Sequence, residues 1–251
     1  MSYEPAQHSL ENKIILVTGA SDGIGRVAAK TYAAHGASVI LHGRRSTALE
    51  TVYDEILADG HPEPGIAVLD LATQDVSELQ RLGDIILDQY GRLDGVLHNA
   101  SILGDRIPIE HYDMNTWAKV MHINFTNVCY LTRILMPLLR LSPSAAAVFT
   151  SSGVGATPRA YWGAYSVSKY ALEGFAKLLA EEVENTANLR VNILNPGGTR
   201  TKMRAAAYPN EDPGTLITPD QLMPLYVYLM GEDCKENGQT FDRSWPGLDQ
   251  L

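Results

Sequence analysis

Short apolar runs alternate along the chain with longer segments in which apolar residues recur every three or four positions. The short runs predict buried β-strands, and the longer segments predict amphipathic helices. The predicted strands are Ile14–Val17, Ser38–Leu41, Ile66–Leu69, Gly95–Leu97, Ala146–Phe149, Val191–Leu194 and Gln239–Phe241. The predicted helices lie near 24–35, 46–59, 75–90, 115–141, 162–186 and 219–230. This alternation predicts an α/β fold with a seven-stranded parallel sheet and helices on both faces.

The organisation of the chain favours one domain. Its 251 residues contain no internal repeat and no low-complexity linker that would divide them. The net charge of −9 disfavours a nucleic-acid or anionic membrane partner, because neutralising phosphates requires clustered lysine and arginine. We therefore expect neither partner.

The N-terminal segment, the cysteines and the histidines indicate the cellular location and whether a metal binds. The segment 1–13 is polar and lacks a secretion signal, and no apolar stretch is long enough to span a bilayer. Cys129 and Cys234 fit no Cys-x-x-Cys spacing, which predicts unpaired thiols in a reducing compartment. We expect a cytoplasmic protein. The histidines show no metal-ligand spacing, so no metal site is expected.

A glycine-rich turn follows the first predicted strand and opens the first helix. Glycines in plain turns are common, but this strand–turn–helix context favours phosphate binding by the turn and the helix N-terminus. The segment thus predicts a doubly wound, Rossmann-type dinucleotide site. Its predicted cofactor-binding residues are Gly19, Ser21, Asp22, Gly23, Ile24 and Gly25.

The end of the second strand indicates which dinucleotide binds. An NAD site usually places an acid there for the ribose 2′-hydroxyl, whereas this chain reads His42-Gly43-Arg44-Arg45. A guanidinium pairs well with a 2′-phosphate, so Arg44 favours NADP(H) over NAD(H). The alternative is that Arg44 and Arg45 form only a solvated helix start.

Tyr165 and Lys169 carry the main chemical signal. They lie one helical turn apart on a predicted helix, downstream of Ser151 and Ser152, so both side chains project from one face. An ammonium beside a phenol stabilises the phenolate, which predicts a tyrosine pKa shifted towards neutral pH. The spacing alone is common in helices. Combined with the glycine turn and the upstream serine, it predicts catalysis.

Over about residues 12–243, these motifs resemble those of the short-chain dehydrogenase/reductase family. The turn 18–25 is similar to that family's Thr-Gly-x-x-x-Gly-x-Gly, and Ser152 lies thirteen residues before Tyr165, as expected there. Further similarity lies in Asn99-Ala100, Asn124 and the segment 196–201. Parts of the chain also resemble one enterobacterial oxidoreductase subgroup.

The resemblance implies an enzyme that interconverts a small-molecule carbonyl and an alcohol by hydride transfer. Tyr165 would exchange the proton, Ser152 would hold the substrate oxygen, Lys169 would bind ribose hydroxyls and lower the tyrosine pKa, and Asn124 would position a relay water. The further implied cofactor contacts are Asp70, Leu71, Asn99, Pro196, Gly197, Thr199 and Thr201. From the residues alone, Asp70 is equally a turn acid at a strand end.

The resemblance also implies features of the surface and the assembly. The segment at about 200–217 corresponds to a mobile lid, and its small and aromatic residues suggest a modest, mostly apolar pocket. The family usually forms dimers or tetramers through helices matching 115–141 and 162–186, so a homodimer or homotetramer is expected. Tyr161 and Trp162 either line the substrate mouth or only pack at a helix start.

Departures from the family pattern leave other readings open. His98 and Ser101 replace an asparagine and a glycine, and the ending 241–247 is atypical. We expect His98 to be a hydrogen-bonded residue near the sheet end rather than a second acid–base. A regulator that binds NADP(H) without turnover is the alternative function, although such proteins usually lose the tyrosine or the lysine. In the enoyl-reducing branch of the family, the tyrosine lies seven positions before the lysine. Here that position, 162, is tryptophan, so enoyl reduction ranks low.

Overall fold

The computed structural model describes residues 3–248. Its seven strands all pair in parallel in one sheet, in the order β3-β2-β1-β4-β5-β6-β7. The strands are β1 Ile14–Thr18, β2 Ser38–Gly43, β3 Gly65–Val68, β4 Gly95–His98, β5 Ala145–Thr150, β6 Leu189–Leu194 and β7 Thr240–Phe241. The predicted seven-stranded parallel sheet is therefore confirmed, with boundaries that differ by one or two residues.

Helices cover both faces of this sheet. They are α1 Gly23–Ala34, α2 Ser46–Ala58, α3 Val76–Tyr90, α4 Met114–Met121, α5 Asn127–Arg140, α6 Gly153–Ala156, α7 Gly163–Val183, α8 Lys202–Ala207 and α9 Met223–Met230. Apolar residues of α1, α2 and α9 form one core against the sheet, and those of α3, α5 and α7 form the other. None of the helices in residues 3–248 combines the length and apolar character needed to cross a bilayer.

The predicted helix over 115–141 differs from the structure in its middle. A π-helical turn, His122–Thr126, separates α4 from α5. The Asn124 side chain in this turn bonds both backbone groups of Ile102 in the loop after β4. A π-turn widens the helix by one residue per turn, and here that widened turn presents Asn124 to the neighbouring loop. The apolar period carries no signal of such a tertiary contact.

The third strand corrects a second expectation. The run Ile66–Leu69 predicted a buried strand, but β3 lies at the sheet edge, where Ile66 and Val68 are 39% and 54% exposed. An edge strand has a neighbouring strand on one side only. Its apolar side chains are therefore flanked by other side chains on one side only and remain partly in water. The short helices α6 and α8 had no counterpart in the sequence-based prediction.

The strand order places a functional cleft. The chain leaves β3 at one edge and returns to β4 beside β1, so the direction of winding reverses between β1 and β4. In open parallel sheets, ligands bind in the crevice beyond the carboxyl ends of the strands at such a switch point.

Candidate active site

A cleft of about 410 Å³ opens beyond the carboxyl ends of the strands. Sixteen of the eighteen predicted site residues line it. They are Gly19, Ser21, Asp22, Gly23, Ile24, Arg44, Asp70, Leu71, Asn99, Ser152, Tyr165, Lys169, Pro196, Gly197, Thr199 and Thr201. The remaining two, Gly25 and Asn124, do not line it.

The glycine turn requires its glycines for two different reasons. Gly19 has φ +71° and Gly23 has φ +54°, in the left-handed region that favours glycine. At Gly25 the constraint is space, because a Cβ there would clash with the Gly19 carbonyl oxygen and would stand 2.6 Å from Asn99 Nδ2. Gly25 therefore lets α1 pack closely against the turn and contributes to the site through that packing.

Thr18 joins the turn to the loop after β4. Its hydroxyl donates to the Leu97 carbonyl and accepts from the backbone N–H groups of Asn99 and Ala100, at 2.9 and 3.1 Å. The Asn99 amide in turn donates to the Thr18 carbonyl at 3.3 Å. Loops after β1 and β4 are thus held together across the switch point.

The two carboxylates that line the cleft both have partners within the protein. Asp22 caps α1 by accepting from the Gly23 N–H at 2.8 Å, and it pairs with Lys202 at 2.7 Å. The Lys202 ammonium holds the pKa of Asp22 below its usual range. Asp70 accepts from the Ala72 N–H at 2.9 Å, which is the turn role considered for it, and also lines the cleft.

Two arginines place positive charge at the end of β2. Arg44 and Arg45 are exposed and line the cleft, and Arg45 stands at the N-terminus of α2. A Cβ on Gly43 would lie 3.6 Å from the Ser21 hydroxyl, so that hydroxyl faces the same corner. Two guanidiniums, a helix N-terminus and a hydroxyl form a suitable environment for a phosphate.

Tyr165 and Lys169 lie together on α7, as their spacing predicted. Both are buried, at 7% and 2% exposure, and the Lys169 Nζ lies 5.6 Å from the centroid of the Tyr165 ring. Lys169 Nζ donates to the Thr150 carbonyl at 2.7 Å, which fixes the ammonium at the end of β5. Ser152 follows on the same strand end, and all three side chains face one cleft.

In the protein without a dinucleotide, burial outweighs the predicted effect of the ammonium on Tyr165, and the shift towards neutral pH with a dinucleotide bound stays a prediction. Burial raises the pKa of Tyr165 to about 12, although its hydrogen bond with the Ser152 hydroxyl acts in the opposite direction. Burial also lowers the pKa of Lys169 to about 8, and the Glu173 carboxylate partly offsets that effect. Loss of hydration, which the sequence does not reveal, outweighs the attraction of the ammonium in this site.

Asn124 is placed differently from the other predicted catalytic residues. Its side chain is 1% exposed, accepts from the Ile102 N–H at 2.8 Å, and donates to the Ile102 carbonyl at 2.9 Å. It also donates to the Ser168 hydroxyl at 3.1 Å on α7. Asn124 thus ties the π-turn to the loop after β4 and to the helix that carries Tyr165.

Sequence reasoning gave no role to two buried residues, Ser151 in the cleft wall and Glu173 behind it. Ser151, the neighbour of Ser152, donates its hydroxyl to Glu173 Oε1 at 2.5 Å. Glu173 is four residues after Lys169 and is 8% exposed. The spacing is visible in the sequence, but glutamates on helices are usually solvated, so burial gave no sequence signal.

Aromatic rings and guanidiniums alternate beside the part of the cleft that Trp162 and Arg204 line. The Arg106 guanidinium lies over the rings of Trp162 and Tyr208, at 4.5 and 4.8 Å, and Arg204 lies over Tyr208 at 3.9 Å. Arg204 also forms two bonds of 2.6 Å to Glu211. This stack joins the loop after β4, the start of α7 and the segment 200–217.

Trp162 both lines the cleft and packs at the start of α7, so its position agrees with both alternatives considered for it. It lines the cleft beside Tyr165, with ring centroids 5.7 Å apart, whereas Tyr161 is 56% exposed and has φ +73°. The predicted lid segment contains α8, and its ends meet at the bridge between Thr199 and Ile217. Its motion stays a prediction.

His98 and the ending 241–247, which depart from the expected pattern, also make defined contacts. As expected, the ring of His98 is hydrogen-bonded, with Nε2 3.0 Å from the Thr132 hydroxyl, and it stacks on Phe149. Burial lowers the pKa of His98 to about 3. A Cβ on Gly197 would lie 2.8 Å from Arg243 Cδ, so the unusual ending packs Arg243 against the cleft segment 196–201.

Known proteins are similar to this chain in sequence and in fold. The family model described as short chain dehydrogenase matches residues 13–212, which is well over half of the chain. The chain belongs to the short-chain dehydrogenase family. An uncharacterized oxidoreductase of Escherichia coli K12, YciK, is 49% identical over 254 aligned residues that span 100% of both chains. The predicted family and the predicted similarity to the YciK subgroup are confirmed.

Solved structures of other short-chain dehydrogenases superpose closely on this one. A protein from Shigella flexneri, complexed with NADP, has a TM-score of 0.92 and 50% identity, covering 94% of this chain and 99% of its own. A protein from Escherichia coli CFT073, complexed with NADPH, has a TM-score of 0.92 and 50% identity, covering 95% and 99%. These two relatives bind the phosphorylated dinucleotide.

Proposed function

We propose that this chain is an NADP(H)-dependent oxidoreductase that interconverts a small-molecule carbonyl and an alcohol, with Tyr165 as the acid–base. The observation that carries the proposal is the convergence of Ser152, Tyr165 and Lys169 in the cleft that the glycine turn lines. A regulator that senses the dinucleotide without turnover needs only the turn. The buried tyrosine–lysine pair therefore favours an enzyme over that alternative.

The residues present fit a phosphorylated dinucleotide. The turn at Gly19 and the N-terminus of α1 offer backbone N–H groups to a pyrophosphate. Arg44 faces the cleft, while the lining carboxylates Asp22 and Asp70 are engaged by other groups. The NADP and NADPH complexes of the two relatives support the same choice. When bound, NADP(H) would supply or accept the hydride.

Tyr165 would exchange the proton that accompanies the hydride. Its raised pKa, about 12, keeps the phenol protonated at neutral pH, so it can donate to a carbonyl oxygen. The Ser152 hydroxyl would hold the same oxygen, and the Lys169 ammonium would stabilise the phenolate left after transfer. In the reverse direction the phenolate would accept the alcohol proton.

The substrate side of the cleft supports a compact, mostly apolar substrate. Leu103, Trp162 and Met203 line it close to Tyr165. The nearby Arg204 guanidinium is already bound by Glu211 on two nitrogens, so it offers little to a substrate carboxylate. We therefore propose neutral carbonyl compounds as the substrate class.

Assembly and location complete the proposal. Apolar side chains on the outer faces of α5 and α7 are partly exposed, including Tyr130 at 39%, Val167 at 44% and Leu178 at 59%. We propose that these helices pair with a second copy, giving a homodimer or a homotetramer. The unpaired Cys129 and Cys234 support a reducing location, the cytoplasm.

A paired titration tests the proposal. Protein fluorescence is followed during titration with NADPH and with NADH, and the same preparation is then offered NADPH and a panel of neutral ketones and aldehydes. We expect tighter binding of NADPH and oxidation of NADPH with at least one carbonyl compound. Equal binding of both dinucleotides would contradict the cofactor assignment, and binding without turnover across the panel would favour the regulator.

A further inference from the structure

Glu173 is a buried carboxylate to which the proposed mechanism assigns no role. It lies four residues after Lys169 on α7, so the two side chains share one face of the helix. Only 8% of Glu173 is exposed. A buried carboxylate loses its hydration and needs compensating bonds or charges, which makes its surroundings informative.

Three elements enclose this carboxylate. Ser151, at the end of β5, donates its hydroxyl to Glu173 Oε1 at 2.5 Å. A Cβ on Gly155 of α6 would stand 2.7 Å from that hydroxyl, 2.9 Å from Lys169 Cβ and 3.0 Å from Glu173 Oε1. The three side chains therefore converge on Gly155, and only a residue without a side chain fits there.

The ionisable side chains Lys169 and Tyr165 lie with Glu173 on α7. Lys169 is 2% exposed, and the hydrogen-bond acceptor of its ammonium, the Thr150 carbonyl, is neutral. β5 and α6 present Thr150, Ser151 and Gly155 to the pair, none of which is ionisable, and α7 adds the phenol of Tyr165. Burial favours the neutral amine, and the Glu173 carboxylate favours the ammonium.

We propose that Glu173, held in place by Ser151, is a positioning residue that keeps Lys169 protonated beneath Tyr165. Its role depends on the proposed function, because the lysine charge acts on the tyrosine and on a dinucleotide in the cleft. Glu173 does not line that cleft and acts only through Lys169. Loss of its charge should therefore shift the pH dependence of NADPH binding and of carbonyl reduction, and should leave the structure of the site largely unchanged.

The test compares pH profiles of Glu173→Gln with those of the unaltered chain. NADPH binding is followed by fluorescence between pH 6 and pH 10, and kcat for carbonyl reduction is measured over the same range. In the unaltered chain both should fall as Lys169 loses its proton near pH 8. In Glu173→Gln we expect the fall to occur about one pH unit lower, since a nearby opposite charge shifts a pKa by about 1–3 units.

Matched variants separate charge from packing. Glu173→Asp keeps the charge and should restore most of the profile, whereas Glu181→Gln, on an exposed part of α7, should leave it unchanged. Ser151→Ala removes the bond to the carboxylate and should shift the profile in the same direction by less. It also provides a second test if Glu173→Gln does not fold. In a Lys169→Met background, Glu173→Gln should cause no further shift in the binding profile.

The result that overturns the inference is a set of Glu173→Gln and Ser151→Ala profiles that keep the unaltered midpoint, whether or not their amplitude falls. That outcome leaves the proposed function intact if the unaltered chain reduces carbonyls. Conversely, a shifted binding profile in a chain without any turnover would support the role of Glu173 at Lys169 and refute the enzyme.

Discussion

The Lys169 ammonium lies 5.6 Å from the centroid of the Tyr165 ring, and burial acts on the two groups in opposite directions. It raises the pKa of the tyrosine to about 12 and lowers that of the lysine to about 8. At neutral pH the pair is thus a protonated phenol beside an ammonium. A proton donor adjacent to a cation that stabilises the product phenolate is suited to reducing a carbonyl.

The glycine turn gives a prediction about space. Gly25→Ala places a methyl group against the Gly19 carbonyl and the Asn99 amide, so α1 must move away from the turn. We expect the affinity for NADPH to fall at least about tenfold, together with a lower free energy of unfolding. Isothermal titration and urea denaturation measure the two effects.

A second glycine serves as the control for that substitution. A Cβ on Gly174 of α7 meets no atom within 4 Å. Gly174→Ala should therefore raise the free energy of unfolding by roughly 0.5–1 kcal/mol through helix propensity, with NADPH binding unchanged. Equal effects of the two substitutions would contradict the close packing assigned to Gly25.

Arg44 gives a prediction about cofactor choice. Arg44→Ala removes an exposed guanidinium that lines the cleft at the end of β2. A hydrogen bond to a charged group contributes about 1.5–3 kcal/mol, so NADPH affinity should fall about 10- to 100-fold while NADH affinity stays constant. The control is Arg81→Ala on the exposed face of α3. A parallel loss of NADH affinity would show that Arg44 does not read the 2′-phosphate.

His42 gives a prediction about stability. It is 1% exposed, and within residues 3–248 neither ring nitrogen has a hydrogen-bond partner. His42→Leu removes two unsatisfied polar atoms at similar volume, and should raise the free energy of unfolding at pH 7 by about 1–2 kcal/mol. His98→Leu should gain less, because it removes one unsatisfied nitrogen, Nδ1, but also breaks the contact of Nε2 with Thr132.

The same histidine links stability to pH. Burial lowers the pKa of His42 to about 4, below its ordinary value of 6.5. The folded chain therefore keeps this ring neutral at a pH where the unfolded chain binds a proton, so stability is lost as pH falls from about 6.5 towards 4. Urea denaturation at pH 7 and pH 5 should show a smaller loss in His42→Leu. An equal loss in both chains would contradict the assignment.

Much of the fold was predictable because local patterns and tertiary structure agree. Apolar runs such as Val191–Leu194 form central strands, and the turn at Gly19 needs the backbone conformation that glycine permits. The π-turn at Asn124 was not predictable, because it accompanies a contact with Ile102 that the local sequence does not encode. The exposure of Val68 depends in the same way on the place of β3 in the sheet.

In the candidate site, residue identities were predictable and electrostatics were not. Spacing placed Ser152, Tyr165 and Lys169 in one cleft. The direction of the tyrosine pKa depends on how completely the ring is desolvated, which the sequence does not state. The burial of Glu173 depends likewise on Ser151 and Gly155, which lie on other elements of the fold.

The most direct test of the central claim is Tyr165→Phe, which removes the phenolic hydroxyl and keeps the ring against Trp162. The measurement is the single-turnover rate of carbonyl reduction with saturating NADPH, alongside the dissociation constant for NADPH. We predict a rate lower by about 10²–10⁴-fold, with NADPH binding within about twofold of the unaltered chain. An unchanged rate in the variant would show that Tyr165 is not the proton donor.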